Sequence, residues 1–253
     1  FELGGRIDLG VAVEGGLVGL REVGFGYSEM IALILAGEGV LDSIRQRTAK
    51  AAARHRLEDV RLLPPLRPGK YLAIGMNYAK HVAEMGHAER PEHQYWFNKQ
   101  TTCISGPYDP IGPGVTEKLD YEVELGVVIG RAAKGVKAVD ALDHVFGYLV
   151  ANDVSARDWQ KHSPTFTMGK SFDTHGPIGP WIVTADEIPD PQALGLRCLV
   201  NGEVRQQSNT SDICCTVAEQ IEYLSTAFTL EPGDLLATGT PEGVGAAMDP
   251  PRF

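Results

Sequence analysis

Long hydrophobic runs and paired cysteines are both missing from this chain of 253 residues. The longest strongly apolar run, Met30–Ala36, is far shorter than the roughly 20 residues that a membrane-spanning helix needs. The four cysteines show no CxxC spacing, and the adjacent Cys214 and Cys215 are poorly placed to bridge each other. We therefore expect a reduced protein with no membrane partner and a cytoplasmic location, although an organellar signal before Phe1 stays open.

Positive charge is also scarce. The chain has 23 Lys and Arg against 33 Asp and Glu, which gives a net charge of −10. This sign argues against a nucleic-acid partner, because such proteins carry a basic surface. It does not argue against an anionic substrate, which needs only local positive charge or a metal. The length is ample for a sizeable core, so neither disulfides nor structural metals are needed for folding.

The turn residues predict two units. Residues 1–66 form a small N-terminal domain with two strands around a Glu14–Gly16 turn and a helix over Leu41–Arg54. The turn-rich stretch Leu63–Gly69 marks the boundary, and residues 67–253 form the larger catalytic domain. Its predicted elements are strands over Tyr71–Gly75, Asp120–Gly130, Val145–Ala151 and Leu235–Gly239, a hairpin over Leu196–Ser208, and a helix opened by the capping box Thr216–Glu219. Strands dominate, so the predicted class is a β-rich α+β fold.

Two glutamates alternate with apolar residues in the segment Asp120–Gly126. In one strand, Glu122 and Glu124 would share a face about 7 Å apart, where their carboxylates repel each other. A solvated outer face would explain such a pair. However, the next strand is almost wholly apolar and ends at Asp153, as a buried central strand does. Three carboxylates without Cys or a His cluster favour Mg²⁺ or Mn²⁺ over zinc.

A histidine and a glutamate three residues apart follow the strand Tyr71–Gly75. On a helical turn, His81 and Glu84 lie on one face, where the carboxylate can orient the imidazole of a general base. A surface pair is the common explanation of this spacing, but strand ends are where sites are built. His87 and His93 are expected to be surface residues without a role.

Positive side chains follow the third acid. Arg157 and Gln160 lie one and two helical turns beyond Asp153, and Lys170 follows in a GKSF segment. These cations either pair with the acids or neutralise a substrate carboxylate or a developing enolate. The Gly-rich loop Thr238–Gly245 offers backbone N–H groups and the Thr240 hydroxyl to an anion. The chain has no GxxxxGK[ST], GxGxxG or GxSxG motif, which argues against nucleotide binding and an α/β-hydrolase serine.

Taken in order, these segments resemble the fumarylacetoacetate hydrolase superfamily, in its acylpyruvate and fumarylpyruvate hydrolase-like branch. The resemblance covers roughly residues 70 to 247 and rests on Gly75–Glu84 (GMNYAKHVAE), Phe97–Lys99 (FNK), Asp120–Gly126 (DYEVELG), Asn152–Gln160 (NDVSARDWQ), Gly169–Asp173 (GKSFD), Gly176–Pro180 (GPIGP) and Thr238–Gly245 (TGTPEGVG). Each motif is modest alone, and the ordered set is specific. Family chains run on past the last motif, so the resemblance implies a C-terminal end that is cut short.

The resemblance implies a mixed β-sandwich roll with a barrel-like body, a small N-terminal domain and a homodimer. It also implies Mg²⁺ or Mn²⁺, with Ca²⁺ as a substitute in crystals. By the same resemblance, the metal ligands are Glu122, Glu124 and Asp153; the catalytic residues are His81, Glu84 and Lys170; and the substrate-binding residues are Arg157, Gln160, Thr240 and Tyr78. Trp96, Phe97, Trp159 and Phe166 are candidates for pocket aromatics, although most such residues belong to a core.

The expected activity is hydrolysis of a carbon–carbon bond in a 2,4-dioxo acid of the acylpyruvate type, which releases pyruvate and a second carboxylic acid. The substrate is thus a small 2-oxo acid. The alternatives within the resemblance are a decarboxylase of oxaloacetate-like acids and an isomerase of unsaturated dioxo acids. An alternative from another class is a metal-dependent binding protein without catalysis, which would keep the acids and lose the base; the presence of His81 and Glu84 argues against it.

Overall fold

Fifteen strands and seven α-helices make up the fold in a computed structural model, which describes residues 1–253. The strands are β1 Glu2–Leu3, β2 Arg6–Ile7, β3 Gly10–Val13, β4 Gly16–Gly19, β5 Tyr71–Gly75, β6 Tyr95–Lys99, β7 Ile104–Ser105, β8 Leu119–Asp120, β9 Val123–Ile129, β10 Val145–Asn152, β11 Ser155–Ala156, β12 Gly176–Thr184, β13 Gly195–Val200, β14 Glu203–Asn209 and β15 Leu235–Ala237. The helices are α1 Met30–Ala36, α2 Glu38–Thr48, α3 Ala79–Glu84, α4 Ala138–Ala141, α5 Arg157–Gln160, α6 Thr167–Lys170 and α7 Val217–Ala227. None of these helices has the length and apolar character to cross a membrane.

One seven-stranded sheet organises the molecule, in the order β6-β5-β15-β9-β10-β12-β7. Strand β15 runs parallel to β5, and β12 runs parallel to β7, while the other neighbours are antiparallel. Because β15 comes late in the chain and lies between β5 and β9, the C-terminal part of the chain completes the centre of the sheet. The strand-rich α+β class is confirmed.

Both faces of this sheet are buried. Tyr71 and Ala73 of β5 lie in an apolar cluster on one face, and Leu72 lies in the cluster on the other. Helix α7 covers the second face through Val217 and Ile221 among others. Because both faces are covered, the central strand β9 is buried throughout and reads as a nearly continuous apolar run.

The N-terminal residues build a cluster of their own, formed by Leu20, Leu33, Leu41 and Ile44. This cluster supports the division after residue 66, which stays a prediction. The predicted helix over Leu41–Arg54 is wrong in its bounds, because α2 spans Glu38–Thr48. Its end has a tertiary cause: His55 exchanges backbone hydrogen bonds with Leu17 of β4, so the chain must leave the helix before it.

Two local predictions are confirmed by backbone geometry. The hairpin of β13 and β14 turns at Asn201 and Gly202, whose φ angles of 53° and 81° suit a type I′ turn. Helix α7 starts at a complete capping box, in which the Thr216 hydroxyl accepts from the Glu219 backbone and the Glu219 carboxylate accepts from the Thr216 backbone.

Candidate active site

Three carboxylates meet where β9 begins and β10 ends. Since these strands are antiparallel neighbours, with Glu124 opposite Ala151, the start of β9 lies beside Asp153 at the end of β10. One oxygen from each of Glu122, Glu124 and Asp153 lies within 4.8 Å of the others. All three residues are buried, so a solvated outer face does not explain the two glutamates.

The prediction of one strand over Asp120–Gly130 is wrong, and the break helps to build this cluster. The chain leaves the ladder at Tyr121 and Glu122, between β8 and β9. The Glu122 backbone N–H donates to the Asn152 side chain at 3.0 Å, and the Asp153 N–H donates to the Glu122 carbonyl at 2.9 Å. Glu122 therefore reaches the cluster from an irregular turn instead of from the alternation of a strand.

Three buried cations face the acids. Lys170 Nζ lies 2.7 Å from an oxygen of Glu122 and 2.7 Å from an oxygen of Asp153, so it bridges the two carboxylates. Lys99 Nζ donates to the other Asp153 oxygen at 2.5 Å, with both side chains fully buried. The Arg157 guanidinium lies 2.7 Å from Glu122 and 2.8 Å from Asp120. The ion pairs that the sequence offered as one explanation of these cations are thus present.

The acids differ in how far the nearby cations compensate their negative charge. Burial alone would raise the pKa of Glu122, but Lys170 and Arg157 outweigh it and hold this pKa below its usual range. Burial, followed by repulsion from Asp153 and Glu122, raises the pKa of Glu124 well above its usual range. The hydrogen bond that Glu124 accepts comes from the backbone N–H of Gly239, at 2.8 Å. Glu124 is therefore the acid whose charge the protein's own cations compensate least.

This donor set suits a hard divalent cation. Mg²⁺ and Mn²⁺ prefer carboxylate oxygens, and the three acids converge within a distance that one ion can bridge. A divalent cation would also supply the positive charge that Glu124 lacks. Glu122, Glu124 and Asp153 are thus residues that could hold Mg²⁺ or Mn²⁺.

Helix α3 carries the histidine and glutamate beside this centre. Glu84 Oε2 lies 2.9 Å from His81 Nδ1, and Glu84 Oε1 accepts from the Gly243 N–H at 2.7 Å. Asn77, before the helix, donates to the Thr238 carbonyl at 2.8 Å and accepts from the Cys215 N–H at 2.8 Å. These bonds fix the helix against the Gly-rich loop. With Nδ1 held by Glu84, the other ring nitrogen of His81 is left for a proton from the cavity.

A cavity of about 650 Å³ joins the two groups. Of the predicted site residues, those that line it are His81, Glu122, Glu124, Arg157, Gln160, Lys170 and Thr240. Asp153 and Glu84 lie behind this wall and touch it through Lys170 and His81. His87, predicted to have no role, is exposed and lies at the edge of the cavity.

The two predicted substrate-binding residues Tyr78 and Thr240 differ in their relation to the cavity. Tyr78 does not line the cavity; it is buried in an apolar cluster with Val123 and Ile213, and burial raises the pKa of its phenol. The Thr240 hydroxyl is already engaged, since it donates to the Val123 carbonyl at 3.0 Å and accepts from Gln206 at 2.7 Å. Thr240 thus supports the start of β9 while its side chain lines the cavity.

Sequence reasoning missed Lys99, Asp120 and Gln206 as parts of the site. Asp120 accepts from Arg157 and from the N–H groups of Gly245 and Ala246 at 2.8 and 2.9 Å, which anchors the Gly-rich loop. Lys99 and Asp120 both stand in motifs of the resemblance, and Lys99 carries a further signal: it shares a strand face with the buried Phe97, where a lysine needs a buried partner.

Comparison with known proteins agrees with this architecture. The family model described as fumarylacetoacetate (FAA) hydrolase, C-terminal, matches residues 70–253. The chain therefore belongs to the fumarylacetoacetate hydrolase superfamily, a family of enzymes that includes hydrolases, and the resemblance seen in the sequence is confirmed. A fumarylacetoacetate hydrolase of Exiguobacterium antarcticum shares the fold, with a TM-score of 0.84 and 36% identity over all of this chain and 89% of that one.

Other relatives carry different activities in their names. Maleylpyruvate hydrolase of Sphingobium sp. SYK-6, solved with manganese(II) and pyruvate, is 34% identical over 94% of this chain and 87% of its own, with a TM-score of 0.79. The mitochondrial oxaloacetate tautomerase FAHD2A of Bos taurus is 43% identical over 228 residues, which are 88% of this chain and 72% of that protein. A protein of Burkholderia ambifaria is 51% identical over 186 residues; the match spans 73% of this chain and 66% of that protein.

Proposed function

We propose that this protein is a metal-dependent hydrolase that cleaves a carbon–carbon bond in an acylpyruvate-type 2,4-dioxo acid. The observation that carries the proposal is that Glu122 and Glu124 of the three-carboxylate cluster line the same cavity as His81, with Asp153 directly behind them. The maleylpyruvate hydrolase solved with manganese(II) and pyruvate supports it, because pyruvate is the product that the proposed cleavage would release.

His81 is the proposed general base. The Glu84 carboxylate accepts a hydrogen bond from His81 Nδ1, which leaves the other ring nitrogen to take a proton from water in the cavity. The hydroxide equivalent adds to the acyl carbonyl, the bond from that carbon to the pyruvate methylene breaks, and the electron pair leaves as the enolate of pyruvate. A proton then returns to the methylene carbon, so that one acylpyruvate and one water give one pyruvate and one acyl acid.

Positive charge in the cavity wall favours this step. A divalent cation held by Glu122, Glu124 and Asp153 would supply charge that stabilises the developing enolate. Lys170 lines the cavity with its ammonium group fixed between Glu122 and Asp153, so it supplies charge without reorganising. Arg157 and Gln160, joined by a 3.1 Å hydrogen bond, form the part of the wall proposed to contact the substrate carboxylate.

The test is loss of enol ultraviolet absorbance on mixing the protein with a panel of acylpyruvates, in Mg²⁺ or in EDTA, with pyruvate release followed in parallel. Cleavage in Mg²⁺ that EDTA abolishes is the expected result. Absorbance loss without pyruvate release would contradict the proposed hydrolysis, and turnover that EDTA leaves unchanged would contradict its metal dependence.

A second candidate is tautomerisation of oxaloacetate, the activity named for the bovine relative. The observation that favours it is His81 itself, because interconversion of enol and keto forms needs a base and no attacking water. Enol oxaloacetate that converts to the keto form without releasing pyruvate would support this candidate. Pyruvate formed from oxaloacetate would indicate a decarboxylase instead.

The homodimer is likewise a proposal. Light scattering on the purified protein at several concentrations tests it directly. A mass near twice the 27.3 kDa of the chain is expected, and a monomer at all concentrations would contradict it.

A further inference from the structure

Phe166 has a backbone conformation that its side chain disfavours. Its φ and ψ angles are 59° and −8°, in the left-handed region, immediately before helix α6. Glycine adopts this conformation freely, whereas a bulky side chain there is a genuine outlier. Such strain persists where the surrounding structure requires the side chain, and it is concentrated at functional sites.

The ring of Phe166 lies in an aromatic cluster on the cavity wall. Its centroid is 5.4 Å from the ring of Tyr95 and 5.9 Å from that of Phe97, both edge to face. All three residues line the cavity, as do Ile74 and Met85. The Tyr95 hydroxyl donates to the Pro164 carbonyl at 3.1 Å, so its polar atom already has a partner. This wall is therefore apolar, in contrast to the carboxylates and cations of the centre.

The position of the ring is tied to that of the catalytic lysine. The Phe166 carbonyl accepts from the Gly169 and Lys170 N–H groups at 3.0 and 3.2 Å, so the residue starts the helix that carries Lys170. The Lys170 ammonium group lies 5.2 Å from the centroid of Phe97. The apolar wall thus begins beside the charged centre, where the carbon chain of a bound 2-oxo acid would leave it.

We propose that Tyr95, Phe97 and Phe166 form a subsite for the apolar carbon chain of the substrate's acyl group, and that Phe166 is its specificity-determining residue. This inference rests on the proposed function, since it places a 2-oxo acid at the charged centre. A turn before α6 needs only glycine or asparagine, whereas the phenylalanine that stands there packs its ring against Tyr95 and Phe97 and exposes it to the cavity.

Binding of unreactive straight-chain 2-oxo acids tests the subsite separately from cleavage. We would titrate 2-oxobutanoate, 2-oxohexanoate and 2-oxooctanoate into the wild-type protein with Mg²⁺ by isothermal calorimetry. Because burial of a methylene contributes to affinity, each added methylene should tighten Kd by up to about fourfold. Phe166→Gly should remove most of this dependence on chain length and change the Kd of 2-oxobutanoate little. Glycine favours the same backbone conformation, so this variant should keep the turn and the fold.

Phe172→Leu is the matched control. Phe172 flanks α6 on its other side, packs against Trp159 and His175, and does not line the cavity. The Phe172→Leu variant should show the same dependence of Kd on chain length as the wild-type protein. Phe166→Leu retains apolar bulk and should therefore keep part of the dependence of Kd on chain length that Phe166→Gly loses.

Absence of binding to the wild-type protein, or wild-type Kd values that do not depend on chain length, would overturn the subsite. An unchanged dependence of Kd on chain length in Phe166→Gly would overturn it as well. So would an equal weakening of the binding of all three acids in Phe166→Gly, because that would show that Phe166 acts through α6 alone. Turnover of acylpyruvates by the wild-type protein is scored separately. Dependence of binding on chain length without any cleavage would reject the proposed hydrolysis and leave the subsite standing.

Discussion

The buried acidic centre and helix α3 hold their charged groups in different ways. At the centre, Glu122, Asp153 and Lys170 are buried, and each oxygen or nitrogen that carries charge contacts an opposite charge. On α3, the side chains of His81 and Glu84 are hydrogen-bonded to the rest of the molecule through one backbone N–H, and the Glu84 side chain is 20% exposed.

This difference separates stability from activity. Removal of one charge from the centre leaves its partner buried and uncompensated, which is costly to folding. Removal of His81 takes away a ring that makes one side-chain hydrogen bond, to Glu84, and lines the cavity, which costs far less. We therefore expect variants of the centre to act through stability and metal binding, and variants of α3 to act through turnover.

The largest effect is expected for His81→Ala. Loss of a general base lowers turnover by about 10²–10⁴-fold. The free energy of unfolding should fall by only about 1 kcal/mol, as for one ordinary hydrogen bond. Steady-state kinetics and urea unfolding measure the two quantities. The exposed His93 provides the control, since His93→Ala should change neither; undiminished turnover in His81→Ala would remove the base from the mechanism.

Lys99→Met tests the expectation that loss of a charge at the buried centre acts through stability. The methionine fills similar space but leaves one Asp153 oxygen without its ammonium partner, while Lys170 stays on the other. We expect the free energy of unfolding to fall by about 3 kcal/mol, the lower end for a broken buried pair. Lys80→Met removes an exposed pair with Glu242 and should change stability by less than about 1 kcal/mol. Equal losses of unfolding free energy in Lys99→Met and Lys80→Met would contradict the expected high cost of breaking a buried charge pair.

Glu124→Gln should move stability and metal binding in opposite directions. A carboxyl group whose pKa is raised by folding destabilises the folded protein at every pH above the pKa that the group has in the unfolded chain, and neutral pH lies in that range. The neutral amide should therefore raise the free energy of unfolding in EDTA by about 1–3 kcal/mol, as replacement of unfavourable buried charge can. Mn²⁺ affinity, followed by electron paramagnetic resonance, should fall by at least about 10- to 100-fold, since outer-shell partners alone contribute that much.

The exposed Glu117 is the control for this variant, because Glu117→Gln leaves both the centre and the cavity unchanged. Unchanged Mn²⁺ affinity in Glu124→Gln would mean that the proposed ligand set is wrong. Lower stability in EDTA would mean that Glu124 is compensated better than its contacts indicate.

The smallest effect is expected far from both regions, at the start of α7. Thr216→Ala removes the capping hydroxyl and should cost about 1 kcal/mol of unfolding free energy. Turnover below the melting temperature should not change, so Thr216→Ala serves as a reference for a variant that loses stability without losing activity. Thr226→Ala, at the exposed end of the same helix, should cost less. A loss of turnover in Thr216→Ala at full folding would show that α7 affects the cavity.

Local signals predicted much of the fold. The strand Tyr71–Gly75, the turn at Asn201 and Gly202, and the capping box at Thr216 need only neighbouring residues, and each has the predicted geometry. The errors fall where distant residues intervene. Strand β9 begins later than predicted because Asn152 and Asp153 bind the backbone of Glu122.

For the candidate site, the sequence predicted the acids and seven of the 18 residues that line the cavity, and it missed their supports. Lys99 and Gln206 lie on β6 and β14, far along the chain from the three acids, so no local spacing joins them to the site. Tyr78, inside the GMNYAKHVAE motif, lies behind the cavity wall because the chain turns it toward Val123 and Ile213.

The amino-acid sequence already contains the groups from which the candidate site is built: carboxylates that suit a hard cation, a histidine three residues from a glutamate, and cations that can balance the acids. These are properties of residue types and of spacing within one strand or turn. How these groups share charge depends on the tertiary structure, because β6, β9 and β10 had to join one sheet, and α5 and α6 had to pack beside it, before Lys99, Arg157 and Lys170 could meet the acids. The tertiary structure also decided that Phe166 completes an aromatic wall beside them, since no local pattern predicts a strained backbone at that residue.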